Sequence, residues 1–540
     1  MGYLEKIKIH NYKTFKDFEM DFNKDLNIIV GENGVGKTSI LESIGIVLNQ
    51  YIFFNNPNFV NHLFNKSSID EFKNNDIKDI KELPYIKIEA YFNFDNEQDI
   101  NLSKFNGTNY SELHSYNNEP KYGITFEFKF DESFEDVISI DELNSSYIIP
   151  TDYYKSTWTT FAGCSYKRFQ NPLKSIIIDN SINKNDVYGS YSRNLFNSKI
   201  DSIERTKIEY KFSNQMKKLI NEISYEHKES LFLDDDKKFS VNEEKSKLDK
   251  LLDIEENDIS ISDMGSGEEE LLKTELSLNN KNDSKLILIE EPENHLSFSN
   301  TKKQISLIIK RKNDCQIILT THESMILNKL NLSKAIWINN SKSKSLKNLH
   351  EDTQSFFEKA GNFDILTFIL ANKVMLVEGP SEFILFPIFF QKMYEEKTLD
   401  SEKIEILTMN GIKYKRFVEI ANDLKKYTAA FIDNDGNQNR INYFDSFNDS
   451  ENYINVFTEA DKSNLTFENA LYNESNANKD LIKSILNLSD ENPEEIISKM
   501  KNDKTGFAIK LFDHMKDNMD TNIDIPNYIK RGFEYLEKGK

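Results

Sequence analysis

The chain has 540 residues, 38% hydrophobic and 12% aromatic, which predicts about two to four domains with cores of their own. No apolar run reaches the ~18 residues needed to span a bilayer, and two cysteines, Cys164 and Cys315, are too few for a disulfide framework or a Cys-rich zinc site. A net charge of −21 excludes coating of DNA by the whole surface, because phosphate contacts need local Lys and Arg. That charge fits either a protein with no nucleic-acid role or one with carboxylates gathered at metal sites beside local basic patches. The first ten residues alternate apolar and charged side chains and lack a secretory h-region, so a reducing cytoplasm without a membrane is expected.

Tyr3–Ile9 alternate at period two and predict a strand; Asn11–Phe15 turn the chain into a second, Phe18–Phe22. Leu26–Val30 is a short apolar run, and Ser39–Leu48 is helix-like. Between them lies Gly31-Glu32-Asn33-Gly34-Val35-Gly36-Lys37-Thr38, which holds three of the chain's 18 glycines. Strand, glycine loop and helix start are the context of a phosphate-binding P-loop. The glycines let successive N–H groups turn inward, and the helix adds its positive dipole end. Lys37 would reach the β- and γ-phosphates and Thr38 would ligate Mg²⁺, with Asn33, Gly34, Gly36 and Ser39 completing the nucleotide contacts. The bland alternative is a tight turn.

Ile86–Phe94 and Tyr122–Phe130 read as antiparallel neighbours, with a polar loop about 95–121 between them, and 175–179 as a short buried strand. Residues 192–250 turn Lys-, Glu-, Asn- and Ser-rich, with Ile203, Ile208, Phe212, Met216, Leu219, Ile220 and Ile223 at helical spacing. An inserted helical arm is expected, packing on its own domain or dimerising, and Leu233–Glu244 is expected to be a solvated loop.

Residues 284–293 form an apolar strand ending in acids. A buried strand presents such carboxylates at its C-terminal edge, where Glu290 would hold the Mg²⁺ shell and Glu291 would polarise the attacking water. Cys315–His322 is another apolar strand, ending at a histidine, and Asp263–Glu269 places a Ser-Gly pair at a helix start. Together with the opening strand, these segments resemble the RecF and SMC group of ABC-type ATPases over about residues 1–345. The resemblance implies that His322 senses the γ-phosphate. It also implies that Ser266 and Gly267 contact the nucleotide of another subunit. Glu268 stands where that group usually has Gln, and the second Gly of its Gly-Gly pair is missing.

After a helical linker, 354–370, the pattern restarts. Lys373–Val377 is a strand followed by Glu378, Gly379, Pro380, Ser381 and Glu382; Ala429–Ile432 is a strand ending in Asp433-Asn434-Asp435. Carboxylates clustered at one sheet edge repel unless cations neutralise them, which points to Mg²⁺ or Mn²⁺. Glu382, one turn beyond Glu378, would share the site.

These motifs resemble a TOPRIM domain, and the order ABC-type ATPase then TOPRIM resembles the overcoming lysogenisation defect (OLD) family, which includes Gabija and retron-associated antiphage nucleases. The expected fold is α/β: an ABC-type P-loop ATPase head over 1–355, with the arm inserted at about 190–255, then a TOPRIM domain over 356–540. The resemblance implies an ATP-regulated, metal-dependent DNA endonuclease or nickase in antiviral defence. It assigns metal ligation to Glu378, Asp433 and Asp435, offers Glu468 for a second metal, and offers Lys504, with Lys510 as competitor, for transition-state stabilisation. ATP and Mg²⁺ are the expected cofactors, with Mn²⁺ or Ca²⁺ as alternatives at the TOPRIM site. DNA is the expected substrate, a homodimer or higher oligomer the expected assembly. A helicase or reverse-transcriptase nucleoprotein is the kind of partner implied. The competing reading is a RecF- or SMC-like DNA-binding or repair ATPase without nuclease activity.

Overall fold

The computed structural model describes the chain apart from residues 1, 51–60, 75–76, 96–99, 112–118, 147, 179–195, 197–199, 201, 227–231, 235–236, 239–247, 249–250, 279–284, 295, 340, 360–363, 396, 412, 449–451, 489–491, 519–520 and 540. It divides into two compact units. The first comprises Met1–Ile326 and Lys334–Ser343, the second Leu327–Ser333 and Lys344–Lys540.

In the first unit, strand Gly2–Tyr12 pairs antiparallel with both Phe15–Asp21 and Ile86–Phe94, and Lys121–Phe130 pairs with Ile86–Phe94 and with Tyr154–Thr160. The second strand thus starts at Phe15, earlier than expected, because the turn is confined to Lys13 and Thr14. A parallel sheet sets Leu26–Val30 between Ala335–Asn339 and Gln316–Thr320, and Leu286–Glu290 between Gln316–Thr320 and Ser175–Ile178. Leu26–Val30, Leu286–Glu290 and Gln316–Thr320 are buried at every position, as mostly apolar strands in a sheet covered on both faces are. Helix Lys37–Asn49 shares one apolar core with both sheets through Ile40, Leu41, Ile44 and Leu48. Gln316, fully buried, joins the sheets: its Oε1 accepts from the Leu4 N–H at 2.8 Å, and its Nε2 donates to the carbonyls of Leu4 and Asn23, both at 2.8 Å.

In the region read as an arm, helix Ser202–Glu226 half-buries Ile208, Phe212, Met216 and Ile220, which follow each other at i, i+4 on one face. Ile203, Leu219 and Ile223 are exposed. Leu233–Glu244 is not a plain loop: Phe232–Asp234 pairs antiparallel with Lys237–Lys238, while 239–244 lie outside the described residues. Asp179 and Ser284, read as strand ends, also lie outside them.

The second unit carries a parallel sheet in the order Ile404–Thr408, Lys373–Val377, Thr428–Phe431, Ile454–Phe457. Helix Pro380–Tyr394 follows the second of these strands, with proline at its first position, where no intrahelical N–H is needed. Phe386, Phe389 and Phe390 on that helix pack with Phe431, Phe467, Phe533 and Leu511 into one core.

Candidate functional site

In the first unit, parallel register decides which strand ends meet. Ile29 is level with Thr320, and Thr320 with Glu290, so the chain leaves three neighbouring strands at one edge as Gly31, Glu291 and Thr321. That edge is where parallel sheets receive ligands. Gly34 and Gly36 have φ of 79° and 106°, conformations that side chains resist, and a Cβ at Gly36 would run into the Phe15 ring and the Thr14 hydroxyl. Helix Lys37–Asn49 begins directly behind this loop. Asn33, Gly34 and Thr38 are exposed, whereas Lys37 and Ser39 are buried. Lys37 Nζ donates to the carbonyls of Gly31 at 2.8 Å and Glu32 at 2.9 Å. Burial holds the Lys37 ammonium below its usual range, against the pull of Glu291, Glu293 and Glu290.

Thr38 Oγ1 donates to Glu290 Oε1, so the two side chains assigned to Mg²⁺ are in contact. Glu291 has φ 41°, a left-handed conformation that is rare for a residue with a side chain. Such strain concentrates at functional sites and persists only where the surroundings impose it. Here the Glu291 N–H donates to the Thr320 carbonyl at 3.2 Å and to Thr320 Oγ1 at 3.1 Å. Its carboxylate meets Asn294 Nδ2 at 2.7 Å on one oxygen and lies 3.2 Å from His322 Nε2 on the other. Burial, reinforced by the Lys37 charge, lowers the His322 pKa against the opposing effect of Glu291. Glu293 Oε1 accepts from Thr321 Oγ1 at 2.8 Å and from the His322 N–H at 2.6 Å. Ser266 and Gly267 open helix Ser266–Leu278, with Ser266 exposed.

The second unit repeats the logic. Leu376 is level with Ala430 on neighbouring parallel strands, so Glu378 and Asp433 emerge side by side. Burial raises the Glu378 pKa, against the opposing influence of the Asp433 backbone and the Arg440 charge. Asp433 Oδ1 accepts from the N–H of Phe467 at 2.9 Å, at the start of helix Phe467–Asn473. Glu468, on the same helix, is fully buried. It accepts from Ser381 Oγ and Thr466 Oγ1, both at 3.0 Å, and pairs with Lys504 Nζ at 3.2 Å. Lys504 begins helix Lys504–Asp517, whereas Lys510 is exposed. Burial lowers the Lys504 pKa, but Glu468, Glu382 and Asp433 outweigh it and leave it raised.

Glu382 is 4% exposed and its Oε2 is buried without a hydrogen-bond partner among the described residues. Burial first, then Asp433 and Glu468, push its carboxyl up to about 8. Asp433 is pushed up to about 7 by burial and by Glu378 and Glu468. Asp435, by contrast, is exposed, has φ 53° and pairs with Arg440.

Glu378, Glu382, Asp433, Glu468 and Lys504 thus interact around one sheet edge, with Asp435 turned outward. Among the described residues, no group of three or more His, Cys, Asp or Glu side chains is set as it stands to hold a metal ion. The donor set nevertheless suits one: every candidate ligand is a carboxylate oxygen, and burial and mutual repulsion raise the pKa of Glu382 and Asp433, a cost that a bound divalent cation would offset. Sequence reasoning missed Glu293, Asn294, Asn434 and Arg440. Asn434, the middle residue of Asp-x-Asp, is fully buried. Its Nδ2 donates to the carbonyls of Glu459 and Asp461, both at 3.0 Å, and its Oδ1 accepts from the Gly436 N–H at 2.8 Å.

Fold and sites together define an ABC-type ATPase head joined in one chain to a TOPRIM domain. Residues 3–327 match the AAA ATPase domain family, to which the chain belongs, and residues 369–435 match the overcoming lysogenization defect protein-like TOPRIM domain, so an ATPase domain precedes an OLD-like TOPRIM domain. Glu378, Asp433 and Asp435 fall inside the second match; Glu468 and Lys504 lie beyond it. The chain is 23% identical to Endonuclease GajA of Bacillus cereus (strain HuB5-5) over an alignment of 696 residues that covers 99% of each protein. It is 40% identical over 45 residues to the DNA replication and repair protein RecF of an Exiguobacterium species, a match that spans 8% of this chain and 12% of that protein. Among solved structures, the Smc head domain of Pyrococcus furiosus bound to the C-terminal domain of ScpA is similar at a TM-score of 0.33 and 14% identity, covering 67% of this chain and 100% of that one. Among the described residues no helix is long and apolar enough to cross a membrane.

Proposed function

We propose that this protein is an ATP-regulated, divalent-metal-dependent DNA endonuclease or nickase acting in antiphage defence. The observation that carries the reading is the convergence of Glu378, Glu382, Asp433 and Glu468 with Lys504 at one sheet edge, in a chain that also has a P-loop. The full-length similarity to a protein named as an endonuclease supports it. The RecF-like alternative leaves that acid cluster without a task.

In the first unit Lys37 would pair with the β- and γ-phosphates, and Thr38 and Glu290 would hold Mg²⁺. Glu291 would take the proton of the attacking water, and His322 beside it would register the γ-phosphate. Ser266 and Gly267 would meet nucleotide held by a second copy, which makes the working unit at least a dimer.

In the second unit Glu378, Glu382, Asp433, Asp435 and Glu468 would hold divalent cations, Mg²⁺ or Mn²⁺. When bound, such ions activate water and steady the leaving 3′ oxygen. Lys504 would offset charge on the scissile phosphate, and Glu468 would keep its ammonium charged and aimed. The test is cleavage of plasmid DNA with Mg²⁺ or Mn²⁺, with and without ATP, by wild type and Glu378→Ala.

A further inference from the structure

Arg440 is placed against ordinary helix electrostatics. It sits in the first turn of helix Gln438–Asn448, where the Asn437 side chain accepts from the Asn439 and Arg440 N–H groups at 3.0 and 3.3 Å. A cation there faces the positive end of the helix dipole and is disfavoured. Something beyond the helix must therefore hold it.

The surrounding contacts supply the reason. Nη1 pairs with Asp435 Oδ2, and Nη2 lies 3.9 Å from Glu378 Oε1. One guanidinium thus spans two acids borne by different strand ends. The Phe444 ring, buried one turn further along the helix, has its centroid 5.6 Å from the guanidinium carbon. The fork geometry suits this bridging; a lysine ammonium on a flexible stem would not span both acids.

We propose that Arg440 is a built-in counter-cation of the acid site, which a divalent ion must displace from Glu378 and Asp435 before those carboxylates can close on it. The inference rests on the reading of these acids as metal ligands. Arg440 is then a positioning residue that sets the cation concentration at which the site loads. It also keeps the cluster from repelling itself before loading.

The test is Mn²⁺ binding to the full-length, EDTA-stripped protein without nucleotide, by calorimetry, with melting temperatures measured in EDTA and in Mn²⁺. Arg440→Gln is expected to bind Mn²⁺ about tenfold more tightly than wild type, since one competing positive charge is gone. It should also melt lower in EDTA and gain more from Mn²⁺. Arg440→Lys should fall between the two and serves as the folded control. Glu378→Gln identifies the site by weakening binding. If wild type binds Mn²⁺ in a Glu378-dependent way but Arg440→Gln and Arg440→Lys bind it equally or more weakly, the counter-cation role is overturned and the metal site stands. If wild type shows no Glu378-dependent binding, the metal reading fails and this inference falls with it.

Discussion

His322 Nε2 lies 3.2 Å from Glu291 Oε1, at the exits of two parallel strands that are themselves neighbours. The contact places an imidazole against the carboxylate proposed to take a proton from water, while Asn294 fixes the other oxygen. Glu291→Gln keeps the shape and removes the base. It is expected to lower ATP hydrolysis about 10²–10⁴-fold while nucleotide binding persists, as read by single-turnover hydrolysis beside equilibrium binding. Loss of both together would show that Glu291 serves the loop's structure.

Glu293 acts one step back. Its Oε1 takes two hydrogen bonds from the segment that carries His322. Glu293→Ala strands those donors, at a cost of about 1–3 kcal/mol, and frees His322 to move. Glu293→Gln keeps an acceptor oxygen in place. The denaturant midpoint and the hydrolysis rate should therefore fall for Ala and largely recover for Gln; equal loss in both would mean that the charge of Glu293 matters, not its acceptor.

The acid site predicts a dependence of stability on pH. The folded pKa of Glu382 is about 8, above its ordinary value of 4.5. Between these values the folded state keeps a proton that the unfolded state has lost. The resulting stability is complete below about pH 4.5 and disappears as pH rises through about 8. In EDTA, the melting temperature of wild type should fall across this window more steeply than that of Glu382→Gln. Parallel profiles would place the proton elsewhere.

Asn434 fixes the loop between the two aspartates through three hydrogen bonds. Asn434→Ala removes both donations and the acceptance, and should destabilise the protein by about 2 kcal/mol in denaturant titration. It should also reduce DNA cleavage, because Asp433 and Asp435 lose their common anchor. Cleavage at the wild-type rate by the folded variant would remove Asn434 from the site.

Much of this was legible in the sequence because each strand is short, apolar and ends in the residue that matters. Leu26–Val30 before Gly31, Leu286–Glu290 before Glu291 and Thr428–Phe431 before Asp433 are buried runs whose exits define the two sheet edges. Parallel pairing then does the convergence without further information. What was hidden depends on contacts between segments far apart in the chain. Glu293 is one more acid in an acidic stretch until Thr321 and His322 are seen to bond to it. Arg440 stands on a separate helix, at no spacing that links it to Glu378. Asp435 was grouped with Asp433, yet its left-handed backbone turns it toward solvent and Arg440, a direction that Asp-x-Asp alone does not encode.

The proposed nuclease reading is tested most directly by plasmid cleavage, wild type against Glu378→Ala, across Mg²⁺ and Mn²⁺ with and without ATP. Wild type is expected to nick or linearise the plasmid only with a divalent cation, and Glu378→Ala to lose that activity while hydrolysing ATP normally. Cutting that survives Glu378→Ala, or no cutting by wild type under any of these conditions, would contradict it.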